Sequence, residues 1–264
     1  MYKLKVGKSI TLDEKFTSNL NKAIELGFDS IDLDLNIYFG NSEVQFKHYL
    51  DHIFDAYELV KKSGLILNAI HLPYGYNMDF SEPNEENRTR NVLYCKKVMD
   101  LTKDFSNKYY VFHGSCEPIS DEEREARKKS LHKSLKELLK FTDKTLCLEN
   151  LPRTCLANVS TEILDFVDNN PGLCICLDMN HSLKEKTEDV IMMLGSRIKT
   201  LHVSDYDLID EKHWMPKKGK NDWNKIIGNL EKIGYSGVFN YEVKGEELAD
   251  IRENFDVLFN EYNS

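Results

Sequence analysis

The sequence lacks the long apolar runs and regular cysteine spacings that mark several large classes of protein. It contains no stretch of about 18 apolar residues, so it predicts no membrane-spanning helix. Residues 1–5 lead into neither an apolar signal segment nor a small-residue cleavage site. The 6 cysteines form no CxxC pair, which argues against a zinc ribbon or a disulfide framework. We therefore expect a cytoplasmic protein with reduced cysteines.

Basic residues are fewer than acidic ones. Lys and Arg total 35 against 44 Asp and Glu, which gives a formal net charge of −9. This balance argues against a nucleic-acid partner, which would need a basic surface. The 264 residues show no linker, low-complexity segment or shift in composition. We therefore predict one domain over residues 1–264, large enough to bury its own core.

Short β-rich runs alternate with longer helical patterns along the whole chain. The predicted strands are residues 2–7, 29–35, 65–71, 109–113, 145–149, 173–178, 198–203 and 237–242. This alternation, repeated eight times, predicts an α/β fold with a single (β/α)₈ TIM barrel, and a doubly wound open sheet is the alternative. Capping boxes at Thr11–Glu14 and Ser120–Glu123 predict the starts of two helices. The irregular stretch 204–222 follows the seventh strand, where barrel loops carry function.

Six consecutive predicted strands end in an ionisable residue. These residues are His71, His113, Glu149, Asp178, His202 and Glu242, and His181 follows the sixth strand closely. Because the carboxyl ends of barrel strands meet at one face, we expect these side chains to gather around the barrel axis. Carboxylates buried together repel one another unless positive charge lies between them, and a divalent cation is the simplest source of that charge.

Side-chain alternation extends this prediction below the site. An inward Glu149 brings Cys147 with it, and an inward Asp178 brings Cys176 and Cys174. By the same rule, His202 brings Thr200 and Ile198, and His71 brings Ala69 and Leu67. The strands therefore predict small or apolar side chains beneath an ionisable rim.

Two Glu, one Asp and one His form an oxygen-rich donor set that suits Mn²⁺, Mg²⁺ or Co²⁺ better than a structural zinc. Such an ion keeps open positions that a hydroxy-carbonyl substrate fills, and it polarises the carbonyl and stabilises an enediolate. Glu149 and Glu242 come from separate strands and can face opposite sides of the substrate carbon. They are therefore candidates to exchange a proton as base and acid, as isomerisation or epimerisation requires.

Segments across the whole chain resemble the xylose-isomerase-like TIM barrels. This family includes sugar phosphate isomerases and epimerases, ketose 3-epimerases, inosose dehydratases and apurinic-site endonucleases. The matching segments are 69–74, 111–114, 148–150, 177–181, 201–205 and 241–242. The resemblance implies that Glu149, Asp178, His202 and Glu242 hold one divalent metal, with Mn most expected and Mg, Co or Zn as alternatives. It also implies that Glu149 and Glu242 move the proton and that His181 contacts a substrate oxygen.

Residues 211–223 resemble the family's D-x-H-x-x-P-G-x-G-x-x-D-W loop, with Glu211 in place of Asp and Lys217 in place of the first Gly. His71, His113, His181, Glu211 and His213 are candidates for additional metal or substrate ligands. The candidate substrate-binding residues are Tyr74, Asn150, Trp214 and Lys217, and Tyr76 is a further candidate wall of the pocket. The expected partner is a small carbohydrate, with no nucleic acid and no membrane. Homo-oligomerisation stays open.

Three alternatives remain at this point. Every ligand position of the trinuclear apurinic-site endonucleases has a match: His71, His113 and Glu149; Asp178, His202 and Glu242; His181, Glu211 and His213. A multi-zinc phosphoesterase with up to three Zn is therefore one alternative, although the net charge argues against a DNA substrate. A lyase or dehydratase acting on keto-sugars or inososes is the second, because elimination begins with loss of the same proton. The third is a sugar-binding barrel without activity.

Overall fold

Eight strands alternate with eight helices in the computed structural model, which describes residues 1–35, 43–75 and 78–264. Side chains are described for all of these residues except 43–51. The strands are β1 (Lys5–Thr11), β2 (Ser30–Asp34), β3 (Ile66–His71), β4 (Tyr109–Phe112), β5 (Thr145–Glu149), β6 (Cys174–Asp178), β7 (Ile198–His202) and β8 (Val238–Tyr241). The helices are α1 (Phe16–Glu25), α2 (Glu43–Ser63), α3 (Glu85–Leu101), α4 (Asp121–Leu139), α5 (Ser160–Asp168), α6 (Thr187–Leu194), α7 (Trp223–Lys232) and α8 (Leu248–Tyr262).

The strands form one parallel sheet in the order β7-β6-β5-β4-β3-β2-β1-β8. Val203, just beyond β7, closes the sheet against β8: its N–H donates to the Asn240 carbonyl at 2.8 Å, and its carbonyl accepts from Glu242 N–H at 2.9 Å. The predicted TIM barrel is therefore confirmed, and the open sheet is excluded. All eight strand ends meet at one mouth, where the ionisable residues lie.

Two apolar layers separate the inside of the barrel from its helical shell. Outward strand residues such as Leu148 and Leu177 pack with the helices in one large core, which includes Leu131, Leu135 and Leu138 of α4. A smaller inner cluster fills the barrel beneath the site. Its buried members are Ala69, Tyr109, Val111, Cys147 and Cys176, with Cys174 packed against them. The predicted small, apolar floor is thus confirmed for β5 and β6.

Two irregularities in strand pairing change the predicted alternation. Register shifts leave Asn68 as an extra residue on β3 and Lys199 as an extra residue on β7. Leu67 and Ile198, which lie just before these positions, join the outer core, so their predicted inward orientation is wrong. Each added residue reverses the alternation below it, while Ala69 and Thr200 keep the predicted inward position.

The first strand and the first helix both begin later than predicted. β1 runs from Lys5 to Thr11, and its Gly7–Thr11 segment pairs with Ser30–Asp34 of β2. Thr11 therefore ends a strand rather than capping a helix, and α1 begins at Phe16 after an uncapped Lys15. The predicted cap at Ser120 is confirmed, because its hydroxyl accepts the Glu123 N–H at 3.3 Å at the start of α4. Among the described helices, none combines the length and the apolar character that spanning a bilayer requires.

Candidate metal centre

Four ionisable side chains from four strands converge at the barrel mouth. Glu149, Asp178, His202 and Glu242 each offer a ligand atom, and these atoms all lie within 4.8 Å of one another. Nδ1 of His202 lies 3.1 Å from Glu149 Oε1 and 2.8 Å from Glu242 Oε2. Neighbouring ligands of a small octahedral ion, with bonds of about 2.1 Å, are about 3 Å apart. The spacing of these donor atoms therefore suits one such ion.

Glu149 is the hub of the site. Its carboxylate is buried, and each of its oxygens faces two histidines. Oε2 lies 3.0 Å from His71 Nε2 and 3.3 Å from His113 Nε2, whereas Oε1 faces the Nδ1 atoms of His202 and His181 at 3.1 and 3.6 Å. Burial alone would raise the pKa of Glu149, but the imidazoles of His202 and His113 outweigh it and hold this pKa well below the usual range. Glu149 is therefore an ionised carboxylate in a buried site.

Asp178 shows where positive charge is lacking in the cluster. Burial raises the pKa of Asp178 to about 6, with Glu242 and Glu149 adding to the shift and His181 opposing it. Asp178 Oδ2 is buried without a hydrogen-bond partner in the described structure. Buried polar atoms are normally satisfied, so an orphaned carboxylate oxygen in this cluster fits a cation ligated there.

Two further triads flank this cluster. The first comprises His71, His113 and Glu149, and the second comprises His181, Glu211 and His213, each with ligand atoms within 4.8 Å. In three of these histidines Nδ1 faces a backbone carbonyl: His71 at 2.8 Å from Leu72, His181 at 2.8 Å from Asn150, and His213 at 3.1 Å from Glu242. A carbonyl only accepts, so Nδ1 carries the proton and Nε2 is left as the ligand atom. The triads are therefore groups that could hold a metal, with Nε2 of these histidines as the ligand atom.

Arg153 secures Glu211 of the second triad. Glu211 Oε1 lies 2.9 Å from His181 Nε2, while Oε2 is paired with the Arg153 guanidinium. Arg153 also contacts Asp210 at 2.7 Å and Glu117 at 2.7 Å, so it joins the loops after β4, β5 and β7. Its backbone adopts a left-handed conformation, with φ of 48°. Sequence reasoning missed this residue, because Arg-Thr after a proline carries no signal of its three acidic partners.

Asp205 organises the long loop between β7 and α7. Its buried carboxylate accepts hydrogen bonds from five N–H groups, those of Tyr206, Lys217, Gly219, Asn221 and the Trp223 indole, at 2.9 to 3.1 Å. A methyl group at Gly219 would overlap this carboxylate, so the close approach requires glycine. Lys217 adopts φ of 75°, the left-handed conformation that the glycine usual at this position takes without strain. The loop thereby holds His213 in the second triad.

The predicted substrate-binding residues fall in different environments. The Tyr74 ring stacks on His113 with centroids 4.1 Å apart, at the edge of a cavity of about 270 Å³ also lined by Arg153, His181 and Glu211. Asn150 is buried, and its amide binds the backbone of Asp178 in both directions, at 2.7 and 2.8 Å.

Trp214 and Lys217 lie on the long loop. Trp214 is partly exposed, and its backbone pairs with that of Asp205. The Lys217 ammonium binds Glu261 of α8 at 2.7 Å, so the structure does not bring it to the cluster of Glu149, Asp178, His202 and Glu242. Tyr76 lies outside the described residues.

The fold and this site define a TIM barrel with clustered metal-type ligands at its carboxyl-terminal mouth. The chain belongs to the xylose isomerase-like TIM barrel family, whose sequence profile matches residues 20–261. It is similar to two uncharacterised proteins of Methanocaldococcus jannaschii. One is 28% identical over 207 residues, 75% of this chain and 74% of the relative. The other is 23% identical over 187 residues, 69% of this chain and 72% of the relative.

Solved structures of similar fold include a ketose 3-epimerase and a protein described as epimerase-like. A D-tagatose 3-epimerase-like protein matches with a TM-score of 0.83 and 21% identity, over 98% of this chain and 97% of that one. D-psicose 3-epimerase of Clostridium cellulolyticum H10, solved with D-tagatose, matches with a TM-score of 0.75 and 18% identity, over 96% and 90%. At these identities the likeness establishes the fold.

Proposed function

We propose that the protein is a divalent-metal-dependent isomerase or epimerase of a sugar, polyol or sugar phosphate, and that Mn²⁺ is its metal. The observation that carries the proposal is the cluster of Glu149, Asp178, His202 and Glu242, with ligand atoms within 4.8 Å. The ketose 3-epimerase names of the structural neighbours support the same class of substrate. The cavity beside the cluster, at about 270 Å³, lies below the range of about 300–1,000 Å³ that drug-sized ligands occupy, so it suits a small substrate.

The two glutamates have the charge that proton exchange requires. Burial opposes ionisation of Glu242, but His202 outweighs it and holds the pKa of Glu242 below its ordinary value, so both Glu149 and Glu242 are ionised bases. Asp178 and His202 complete the ligand set. A divalent cation in this set supplies Lewis-acid charge beside the substrate carbonyl. One of these carboxylates would remove the proton on the neighbouring carbon, and the other, once it had taken a proton from solvent, would return a proton on the opposite face. His181 and Tyr74 line the adjoining cavity and orient the substrate's oxygens.

The test combines metal analysis with one substitution. Elemental analysis of protein purified without chelator or metal-affinity tag should find about one divalent ion per chain. Glu149→Gln should abolish turnover of responsive ketoses or keto-polyols while the circular dichroism spectrum stays unchanged. Glu162→Gln is the matched control, because Glu162 is a largely buried glutamate on α5 that is paired with Arg124 and lies outside the metal-type ligand groups. Near-normal turnover by Glu149→Gln would refute the assignment, and absence of metal after incubation with Mn²⁺ and Zn²⁺ would favour a sugar-binding barrel without activity.

A multi-zinc phosphoesterase is the second candidate, and one observation favours it. The two oxygens of Glu149 face different ligand groups, His71 with His113 on one side and His202 on the other. This is how a carboxylate bridging two cations is placed, and the triad of His181, Glu211 and His213 offers a third position. Two or three Zn per chain, with hydrolysis of a phosphoester such as abasic DNA, would favour this candidate. A keto-sugar lyase would share the Glu149 proton transfer. It is distinguished by a product that has lost one water relative to the substrate.

A further inference from the structure

Besides Asp178, an aspartate lies inside the barrel beneath the cluster of Glu149, Asp178, His202 and Glu242. It is not one of the residues predicted from the strand ends. Asp32, in the middle of β2, is 1% exposed. Its Oδ2 has no hydrogen-bond partner in the described part of the chain. Nε2 of His202 likewise has none, and these two atoms face each other at 3.9 Å. A buried carboxylate oxygen without a donor is costly, so its placement calls for a physical reason.

The local backbone explains only one of the two oxygens. Asn68, the extra residue on β3, turns its amide into the barrel and donates to Asp32 Oδ1 at 2.8 Å and to Thr200 Oγ1 at 3.1 Å. The backbone N–H of Ala69 also donates to Oδ1, at 3.1 Å. These bonds fix the orientation of the carboxylate and stabilise the bulge. They leave Oδ2 facing His202, the last residue of β7.

The other histidines of the site show what His202 lacks. His71, His181 and His213 each have a carbonyl against the ring nitrogen that turns away from the other members of its own triad. In His202 the arrangement is reversed, because Nδ1 faces Glu149 and Glu242 and Nε2 turns away. Besides the two glutamates at Nδ1, the acceptors recorded near this ring are Asp32, at 3.9 Å from Nε2, and the sulfur of Cys176, within 4.8 Å of one ring nitrogen. A thiol is a weak acceptor, so Asp32 is the strong one.

We propose that Asp32 is a positioning residue that accepts the Nε2–H of His202 and thereby presents Nδ1 to the cation. The proposal rests on the proposed metal centre. The separation of 3.9 Å exceeds the N–H···O length of about 3 Å, so the bond forms when the ring or the carboxylate moves by about 1 Å. Carboxylates behind metal-bound histidines fix the tautomer and ring orientation in this way.

Asp32→Asn tests this role with almost no change in shape. The amide oxygen must stay at the Oδ1 position, where two donors face it, so the amide NH₂ takes the Oδ2 position opposite His202. That donor favours Nε2 as an acceptor, which places the ring proton on Nδ1, where it blocks metal ligation. Loss of such a second partner typically costs about 10–100-fold in metal affinity. Asp79→Asn is the matched control, because Asp79 is a buried aspartate bound to Arg127 and Ser81, away from the metal-type ligands.

The measurement is Co²⁺ affinity by competition with a chromophoric chelator, together with the visible absorption spectrum of the Co²⁺ protein. We expect Asp32→Asn to bind Co²⁺ 10- to 100-fold more weakly with a changed spectrum, and Asp79→Asn to bind within about 3-fold of wild type. Wild-type affinity and spectrum in Asp32→Asn would overturn the inference alone. A wild-type protein that binds no Co²⁺, Mn²⁺ or Zn²⁺ would overturn the proposed function and, with it, the inference.

A second measurement needs no substitution at Asp32 and decides the question if that variant does not fold. Long-range ¹H–¹⁵N correlation spectra of the Zn²⁺-loaded wild-type protein report which ring nitrogen carries the proton, and His202→Gln identifies the His202 signals. A proton on Nε2 supports the inference. A proton on Nδ1 of His202 overturns it, because that nitrogen would then be unavailable to the ion.

Discussion

The Asp205 carboxylate is the strongest single determinant of the long loop, and Asp205→Asn tests that role. Two N–H groups bind Oδ1, from Tyr206 at 2.9 Å and Asn221 at 3.1 Å. Three bind Oδ2, from Lys217, Gly219 and the Trp223 indole, at 2.9 to 3.1 Å. Asparagine has one oxygen, so in any orientation its NH₂ group must face N–H donors. The least costly orientation keeps the three bonds at Oδ2 and loses the two at Oδ1.

The expected magnitude follows from these two lost bonds. Hydrogen bonds to a charged group contribute about 1.5–3 kcal/mol each, so the variant should lose about 3–6 kcal/mol of unfolding free energy. Asp205 is fully buried, so solvent does not screen the loss. Since proteins of ordinary stability unfold at a cost of about 5–15 kcal/mol, this is a large fraction of the total. With a urea dependence of about 3 kcal/mol per M, the midpoint should fall by about 1–2 M.

Urea unfolding followed by Trp fluorescence and far-UV circular dichroism measures this change. Asp207→Asn is the control in the same loop. Asp207 accepts the N–H groups of Ile209 and Asp210 through Oδ1, so asparagine keeps both bonds. It loses only the pair of Oδ2 with Lys212 at 3.5 Å, so the cost should be less than about 1 kcal/mol. If Asp205→Asn unfolds within about 1 kcal/mol of wild type, the five bonds do not hold the loop as described.

Two further predictions concern the metal and the loops around it. Mn²⁺ at 100 times its dissociation constant should add about 2.7 kcal/mol of stability, which differential scanning calorimetry would record as a Tm rise of about 5–10 °C. Glu242→Gln should lose most of this rise. An unchanged Tm of the wild-type protein at saturating Mn²⁺ would contradict the metal centre. Arg153→Ala should cost only about 1–2 kcal/mol in urea unfolding despite three ion pairs, because the guanidinium is 40% exposed. Adding about 0.5 M salt should reduce the loss of unfolding free energy in this variant. A loss that does not depend on salt would show that packing dominates.

The barrel and the metal-type cluster were predictable because they follow from local pattern. Each strand of a parallel barrel contributes its last residue to the same mouth, so an ionisable residue directly after an apolar run has only one place to go. Glu149, Asp178 and His202 end their strands as predicted, and Glu242 follows β8 directly. The prediction required no knowledge of contacts between distant residues.

The supporting residues were not predictable, because their roles depend on pairing across the barrel. Asp32 lies in mid-strand, and only the bulge at Asn68 brings it partners from β3. That bulge also turned Leu67 out of the predicted inner layer. Asp205 follows β7 closely, yet its five donors are spread over residues 206–223. The strands of a parallel barrel are buried on both faces, so apolar and polar residues do not alternate along them and sequence pattern cannot locate a single-residue shift in register.

The burial of the two glutamates separates their roles more sharply than their positions do. The Glu149 side chain is 1% exposed and faces four histidines, whereas that of Glu242 is 31% exposed at the mouth. A carboxylate with both oxygens committed to cations is a poor proton acceptor, because protonation must displace a ligand bond. If one ion binds, the Oε2 side of Glu149 remains available and the two glutamates can exchange a proton. If a second ion binds between His71 and His113, Glu149 becomes a bridge and only Glu242 is left as a base, which suits activation of water and not epimerisation. Under the proposed function, metal stoichiometry would therefore determine the reaction class through the state of Glu149.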